Sequence, residues 1–227
     1  MRKRMSALIA AALLVIAGAA AAARAGEPAA EAKDLVQRSA AVLGDFLKDK
    51  NFEWMQQHLK DAKAVVIFPR VIKAGFFWGG SGGNGVLSVR DEKTGAWSQP
   101  AFYSIGSLSW GLQAGGEDAE VIMLAMNRRA VDSLYASSFK FGGDIAVAAG
   151  PHGVGAKRVL TADFLSFTRA KGLYAGIDLE GSGVQVRDDL NNAYYGKEVR
   201  PVQIVTEHAV TNAASEKLLE ALAKAAR

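Results

Sequence analysis

Residues 79–85 read GGSGGNG, and two kinds of chemistry use glycines at this spacing. Gly80-Ser81-Gly82-Gly83-Asn84-Gly85 matches G-x-G-x-x-G, in which glycines let the backbone approach a pyrophosphate and the next helix aims its N-terminus at the charge. Gly79-Gly80-Ser81-Gly82-Gly83 matches G-x-S-x-G, the elbow that exposes a nucleophilic serine between a strand and a helix. Both motifs need a helix after the glycines. Here Val86-Leu87-Ser88-Val89-Arg90 alternates like a half-buried strand and runs into the turn DEKTG. No Gly-Lys-Ser/Thr follows to close a P-loop. His58, His152 and His208 are the only histidines, and none stands in a catalytic context. The glycines are therefore expected to serve a bend between strands, where a side chain would clash or φ must be positive. Ser81 is expected in a loop and not as a nucleophile.

The remaining reactive-looking pairs are weaker. Asp188 and Asp189 are adjacent, so they diverge on a helix and face opposite sides of a strand, a poor geometry for paired carboxylates. Glu207-His208 has no zinc-motif spacing, and Tyr194-Tyr195 reads as packing. No catalytic residue, metal ligand or cofactor is expected, and the chain reads as a non-enzyme.

The elements that would position any site begin after residue 25. The start MRKRMSALIAAALLVIAGAAAAARA has a basic opening, an apolar run from about Ala7 to Ala23 and small residues at Ala23 and Ala25. This is the pattern of a secretory signal peptide, with cleavage expected after Ala25 and a secreted, periplasmic or cell-envelope destination. The chain has no cysteine, so disulfides and thiolate metal sites are excluded. The full chain carries 27 Lys+Arg against 23 Asp+Glu. Arg2, Lys3, Arg4 and Arg24 leave with the signal and no acid does, so the mature chain is neutral overall. That removes the support for a nucleic-acid partner, and any anionic surface must be met by a local patch.

Residues 26–60 read as an N-terminal helical segment. Leu35, Val36, Leu43, Phe46 and Leu47 recur at helical spacing over 29–49, either packed on the core or lying in a lipid interface. A second helix is expected from Phe52 to Leu59. Residues 61–227 form the main domain with a closing helix from Asn212 to Ala226. Strands are expected at Ala64–Phe68, ended by Pro69, and at Phe76–Trp78, Gly85–Arg90, Trp97–Ile105, Trp110–Ala114 and Ala119–Met126. More follow at Phe139–Ala148, Ala162–Ala170, Leu173–Leu179 and Val184–Arg187. Asn127 is placed to cap a short helix through Leu134, and Asp188–Tyr195 reads as a helical turn. Short strands joined by tight glycine turns must be antiparallel neighbours. The fold class is α+β, a curved, mainly antiparallel and barrel-like sheet flanked by N- and C-terminal helices.

The stretches AKAVVIFPRVIKAGFFWGGSGGNGVLSVR, WSQPAFYSIGSLSWGLQAGGEDAEVIMLAMNRRAVDSL, FKFGGDIAVAAGPHGVGA, LSFTRAKGLYAGIDLEGSGVQV and NAYYG follow in order from Ala62 to Gly196. This series resembles the SYLF domain, the lipid-binding domain also described as the yeast actin-binding type. The resemblance implies a phospholipid-binding domain. Members in eukaryotes bind phosphoinositides and some fungal ones bind actin. A bacterial secreted member meets neither ligand, and affinity for anionic lipid surfaces is what carries over. The residues placed for such contact are Arg70 and Lys73 beside Phe76, Phe77 and Trp78, with a second basic group at Lys157, Arg158, Arg169 and Lys171. Cations at head groups with aromatics at the apolar boundary are what an interfacial binder needs. The alternative is a structural or stress-related envelope protein that contacts protein or polymer, with incidental lipid affinity.

Overall fold

The computed structural model describes residues 27–75, 78–110, 115–149, 162–170, 179 and 181–227. The signal-peptide expectation and the expected strand Leu173–Leu179 fall outside them, Leu179 apart. Helix α1 covers residues 27–46, followed by a 3-10 turn at Lys50–Phe52 and helix α2 at Glu53–Leu59. Strands β1 (Ala64–Gly75), β2 (Trp78–Val89), β3 (Ala101–Trp110) and β4 (Gly115–Ala125) form a long meander. Then come α3 (Arg128–Ser133), β5 (Ser138–Lys140), β6 (Val147–Ala149), β7 (Phe164–Ala170) and β8 (Gly183–Val186). Helices α4 (Asp188–Tyr195), α5 (Pro201–Val205) and α6 (Glu216–Ala225) complete the order.

The eight strands form one sheet in the order β5-β8-β3-β2-β1-β4-β7-β6, antiparallel except for β6 against β7. The sheet is strongly curled. Phe139 of β5 and Phe164 of β7 stack with ring centroids 6.3 Å apart. Six strand steps lie between them, and at about 4.8 Å per step a flat sheet would hold them ~29 Å apart. Residues 141–146 run from one edge strand to the other, and Asp163 N–H donates to Ala146 O at 3.0 Å where β6 begins to pair with β7. The expected barrel-like sheet with flanking helices is present.

Alternation along the strands divides the core in two. Inside the curl lie Val66, Phe68, Val71, Tyr103, Ile105, Val121, Met123, Phe139, Phe141 and Phe164, closed by α3 and α5. On the outer face Val65, Ile67, Val86, Phe102, Ile122, Leu124, Leu165 and Phe167 are covered by α1, α2, α4 and α6. Helix α1 takes this position because Leu35, Val36, Val42, Leu43 and Phe46 share one face, and all are buried. It crosses the sheet diagonally. Asn84 of β2 donates to Glu31 at 2.8 Å near one end of the helix, and Arg169 of β7 pairs with Asp45 near the other. Its apolar stripe is thus packed on the core and not presented to a lipid interface.

Three expectations change. The glycine-rich stretch is no bend, because β2 runs straight through it from Trp78 to Val89. Likewise β1 does not end at Pro69 but continues to Gly75. Between Ile67 and Ile72 it spends five steps where β2 spends four, and between Phe68 and Val71 three where β4 spends two. The extra residue is a bulge, and a bulge tolerates a proline that has no N–H to give the ladder. Thirdly, the single strand expected at Phe139–Ala148 is two short ones. Between them Gly142 turns the chain at φ 83°.

Candidate functional site

The meander fixes where the basic and aromatic residues of the first group go. Gly75 is in register with Gly79 on one side and Gly115 on the other, and Trp78 is in register with Trp110. The β1–β2 and β3–β4 connections therefore leave the sheet side by side, at one tip beyond the end of α1's cover. Arg70 and Lys73 lie on β1 on the approach to this tip. Phe76 and Phe77 lie outside the described residues, and of Trp78 only the backbone is described. Lys157, Arg158 and Lys171 also lie outside, so the described residues bring none of the second group to the tip.

Arg169, the remaining member of that group, is described and is not free. Its side chain is 23% exposed and forms ion pairs with Glu120 on β4 and with Asp45 of α1. Its guanidinium carbon sits 5.3 Å from the centre of the Phe46 ring. Burial works against its charge, but hydrogen bonds to Glu120 and Asp45 outweigh that, and its pKa is raised. Arg169 holds α1 on the sheet.

Arg70 differs in kind. It reaches across the outer face to Asp118 at 3.0 Å with its own side chain 56% exposed. An exposed pair of this sort is worth roughly 0–1 kcal/mol, so Arg70 can exchange Asp118 for another anion at little cost. Ile72, between the two cations in sequence, is 44% exposed, an unusual position for a large aliphatic residue. Lys73 faces the opposite side from Ile72 and is half-buried, in register with Ser81 and Glu117. The tip thus carries two cations, two acids and an exposed apolar side chain.

The glycines between these residues have a steric purpose. A Cβ on Gly83 would overlap the Arg70 carbonyl oxygen, and a Cβ on Gly85 would lie 2.5 Å from Ile67 O and also strike the Phe68 ring. Only glycine lets the bulge of β1 lie against β2 there. Ser81 sits on β2, not in a loop, and its Oγ is 2.8 Å from Ser107 Oγ on β3. Asp189 is held by both arms of Arg187 at 2.8 and 2.7 Å, which lowers its pKa. Tyr194 and Tyr195 hydroxyls bond to Ser215 Oγ and Pro100 O, the packing role expected for them.

Sequence reasoning missed two polar hubs. Asp163 is buried and accepts from Asn127 Nδ2 and Ala146 N, each at 2.9 Å. Asn191, fully buried, accepts from Phe102 N at 3.0 Å, and its Nδ2 donates to Arg187 O at 3.1 Å. Their partners lie up to 89 residues away, a distance over which no local pattern gives a signal.

Comparison with known proteins places this fold. Residues 106–225 match the Ysc84 family, described as "Las17-binding protein actin regulator". "Protein YSC84" of Saccharomyces cerevisiae is 29% identical over 202 residues, covering 84% of this chain and 43% of the relative. "LAS seventeen-binding protein 3" of the same yeast is 30% identical over 176 residues, 72% of this chain and 38% of the relative. The human "SH3 domain-containing YSC84-like protein 1" is 31% identical over 166 residues, 71% and 48% respectively. The chain spans less than half the length of these curated relatives. With more than half of its residues matched by the family model, the chain belongs to the Ysc84 family, the proteins of the SYLF domain.

Proposed function

We propose that this protein is a non-enzymatic phospholipid-binding protein that meets anionic lipid at the sheet tip, acting after export to the cell envelope. The observation that supports this most is the register at the tip. It groups the exposed Ile72, the weakly held Arg70 and Lys73 on the approach to Trp78, which is in register with Trp110. Apolar contact would supply the depth of insertion and the cations the preference for anionic surfaces. Glu117 and Asp118 stand beside the two cations, so the attraction is local and modest. Co-sedimentation with vesicles of graded phosphatidylglycerol content tests the reading. Binding should rise with anionic lipid and fall with salt, and no binding to any composition at low salt would refute it.

A second reading is contact with a protein partner. It is favoured by the family's description and by a yeast relative named as a LAS seventeen-binding protein. The same exposed tip would serve such a contact. Binding that ignores lipid composition but saturates with a purified protein would favour this reading.

A further inference from the structure

The register places Glu117, Lys73, Ser81 and Ser107 side by side across β4, β1, β2 and β3. Adjacent strands are about 4.8 Å apart, so the row is continuous within side-chain reach. The buried residues two positions away fix the face. Val71 and Ile105 both belong to the core inside the curl, so Lys73 and Ser107 are directed to that side. Ser81 Oγ lies 2.8 Å from Ser107 Oγ, which puts it there too. Two hydroxyls in mutual contact use one proton between them and keep the second to donate outward. The Lys73 ammonium adds three donors. Beneath the row Val71, Ile105 and Ala119 are apolar and offer no side-chain acceptor. The three polar side chains are all half-buried, so bonds made here are shielded from bulk water.

We propose that Lys73, Ser81 and Ser107 form a subsite for a phosphate group on the inner side of the sheet tip. The ammonium neutralises one phosphate oxygen and the free hydroxyl proton is donated to another. The proposal deepens the lipid reading and rests on it for the source of the phosphate, an anionic head group; a free phosphate has the same chemistry.

The test is a titration of the full chain with inorganic phosphate, followed by amide chemical shifts, against chloride at matched ionic strength. Saturable shifts at Ser81 and Ser107 are expected. Losing the one outward hydroxyl hydrogen bond, worth at least about 1 kcal/mol, should weaken binding about fivefold or more in the Ser81→Ala/Ser107→Ala double variant. Lys73→Gln should weaken it by a similar factor or more. Shifts no larger than with chloride would overturn the subsite, as would a double variant that binds like wild type. If the double variant does not fold, a Lys73→Gln variant that binds phosphate like wild type would overturn it. Vesicles containing phosphatidic acid identify the source. Wild type that binds phosphate but ignores these vesicles keeps the subsite and loses the lipid reading. A double variant weakened on both ties the head group to the subsite.

Discussion

The carbonyl oxygen of Arg70 occupies the space in which a side chain on Gly83 would begin. This contact joins the bulge of β1 to the glycine-rich strand beneath it. Gly82, one residue earlier, has nothing closer to its missing Cβ than Ile105 O at 3.7 Å. Gly83→Ala should therefore cost about 3 kcal/mol, because backbone and not a flexible side chain must move. Gly82→Ala should be neutral or should stabilise by up to ~1 kcal/mol, since it reduces the freedom of the unfolded chain. Urea denaturation of both variants checks the contrast, and equal effects would contradict it.

This contact also shows where sequence reasoning stopped. Period-2 alternation in Val86–Arg90 and the apolar run of Ala119–Met126 marked strands, tight turns marked the antiparallel pairing, and apolar spacing in Leu35–Phe46 marked the covering helix. Gly79–Gly85 carried no such pattern. A glycine run signals either a turn or a close approach of backbone, and the neighbour that decides between them, Arg70, comes from another strand. Pro69 misled for a related reason, since the bulge that accommodates it exists only in the paired sheet. That Arg70 and Lys73 share one strand leading to Trp78 was legible because they lie on one short stretch. The commitment of Arg169 to Asp45, 124 residues away, was not.

Asp163 ties the start of β7 to its neighbours. Its carboxylate receives Asn127 Nδ2 from the β4–α3 corner and Ala146 N–H from the start of β6, and Asn127 in turn caps α3 through Ala130 N. Asp163→Ala leaves buried donors unpaired and should destabilise by about 3 kcal/mol. Asp163→Asn retains one acceptor and should cost less. Chemical denaturation ranks the two, and a harmless Asp163→Ala would show that this end of β7 is held elsewhere.

Tyr103 gives the fold an alkaline limit. Its hydroxyl is buried inside the curl and donates to Leu134 O, and burial pushes its pKa well above the usual tyrosine range. A pKa raised on folding contributes stability that is complete below the unfolded value of about 10 and is lost as pH rises past it. The loss is ~1.4 kcal/mol per pH unit for this group. Tyr103→Phe should be less stable than wild type at pH 8 by about 1 kcal/mol for the lost hydrogen bond. The difference should shrink above pH 10. Urea midpoints between pH 8 and 11.5 check this, and parallel curves for the two proteins would contradict it.

The central claim is that Arg70 and Lys73 at the sheet tip, and not a cation committed to packing such as Arg169, meet an anionic lipid surface. Arg169→Ala serves as the contrast, because loss of its pairing with Glu120 and Asp45 should lower thermal stability. The direct measurement is vesicle binding by the Arg70→Glu/Lys73→Glu variant. Each cation near an anionic surface is worth about 1 kcal/mol, so reversing two should weaken binding to phosphatidylglycerol vesicles by well over tenfold at low salt. Thermal stability should hardly change, and raised salt should abolish most of the difference. A double reversal that binds as tightly as wild type would contradict the account.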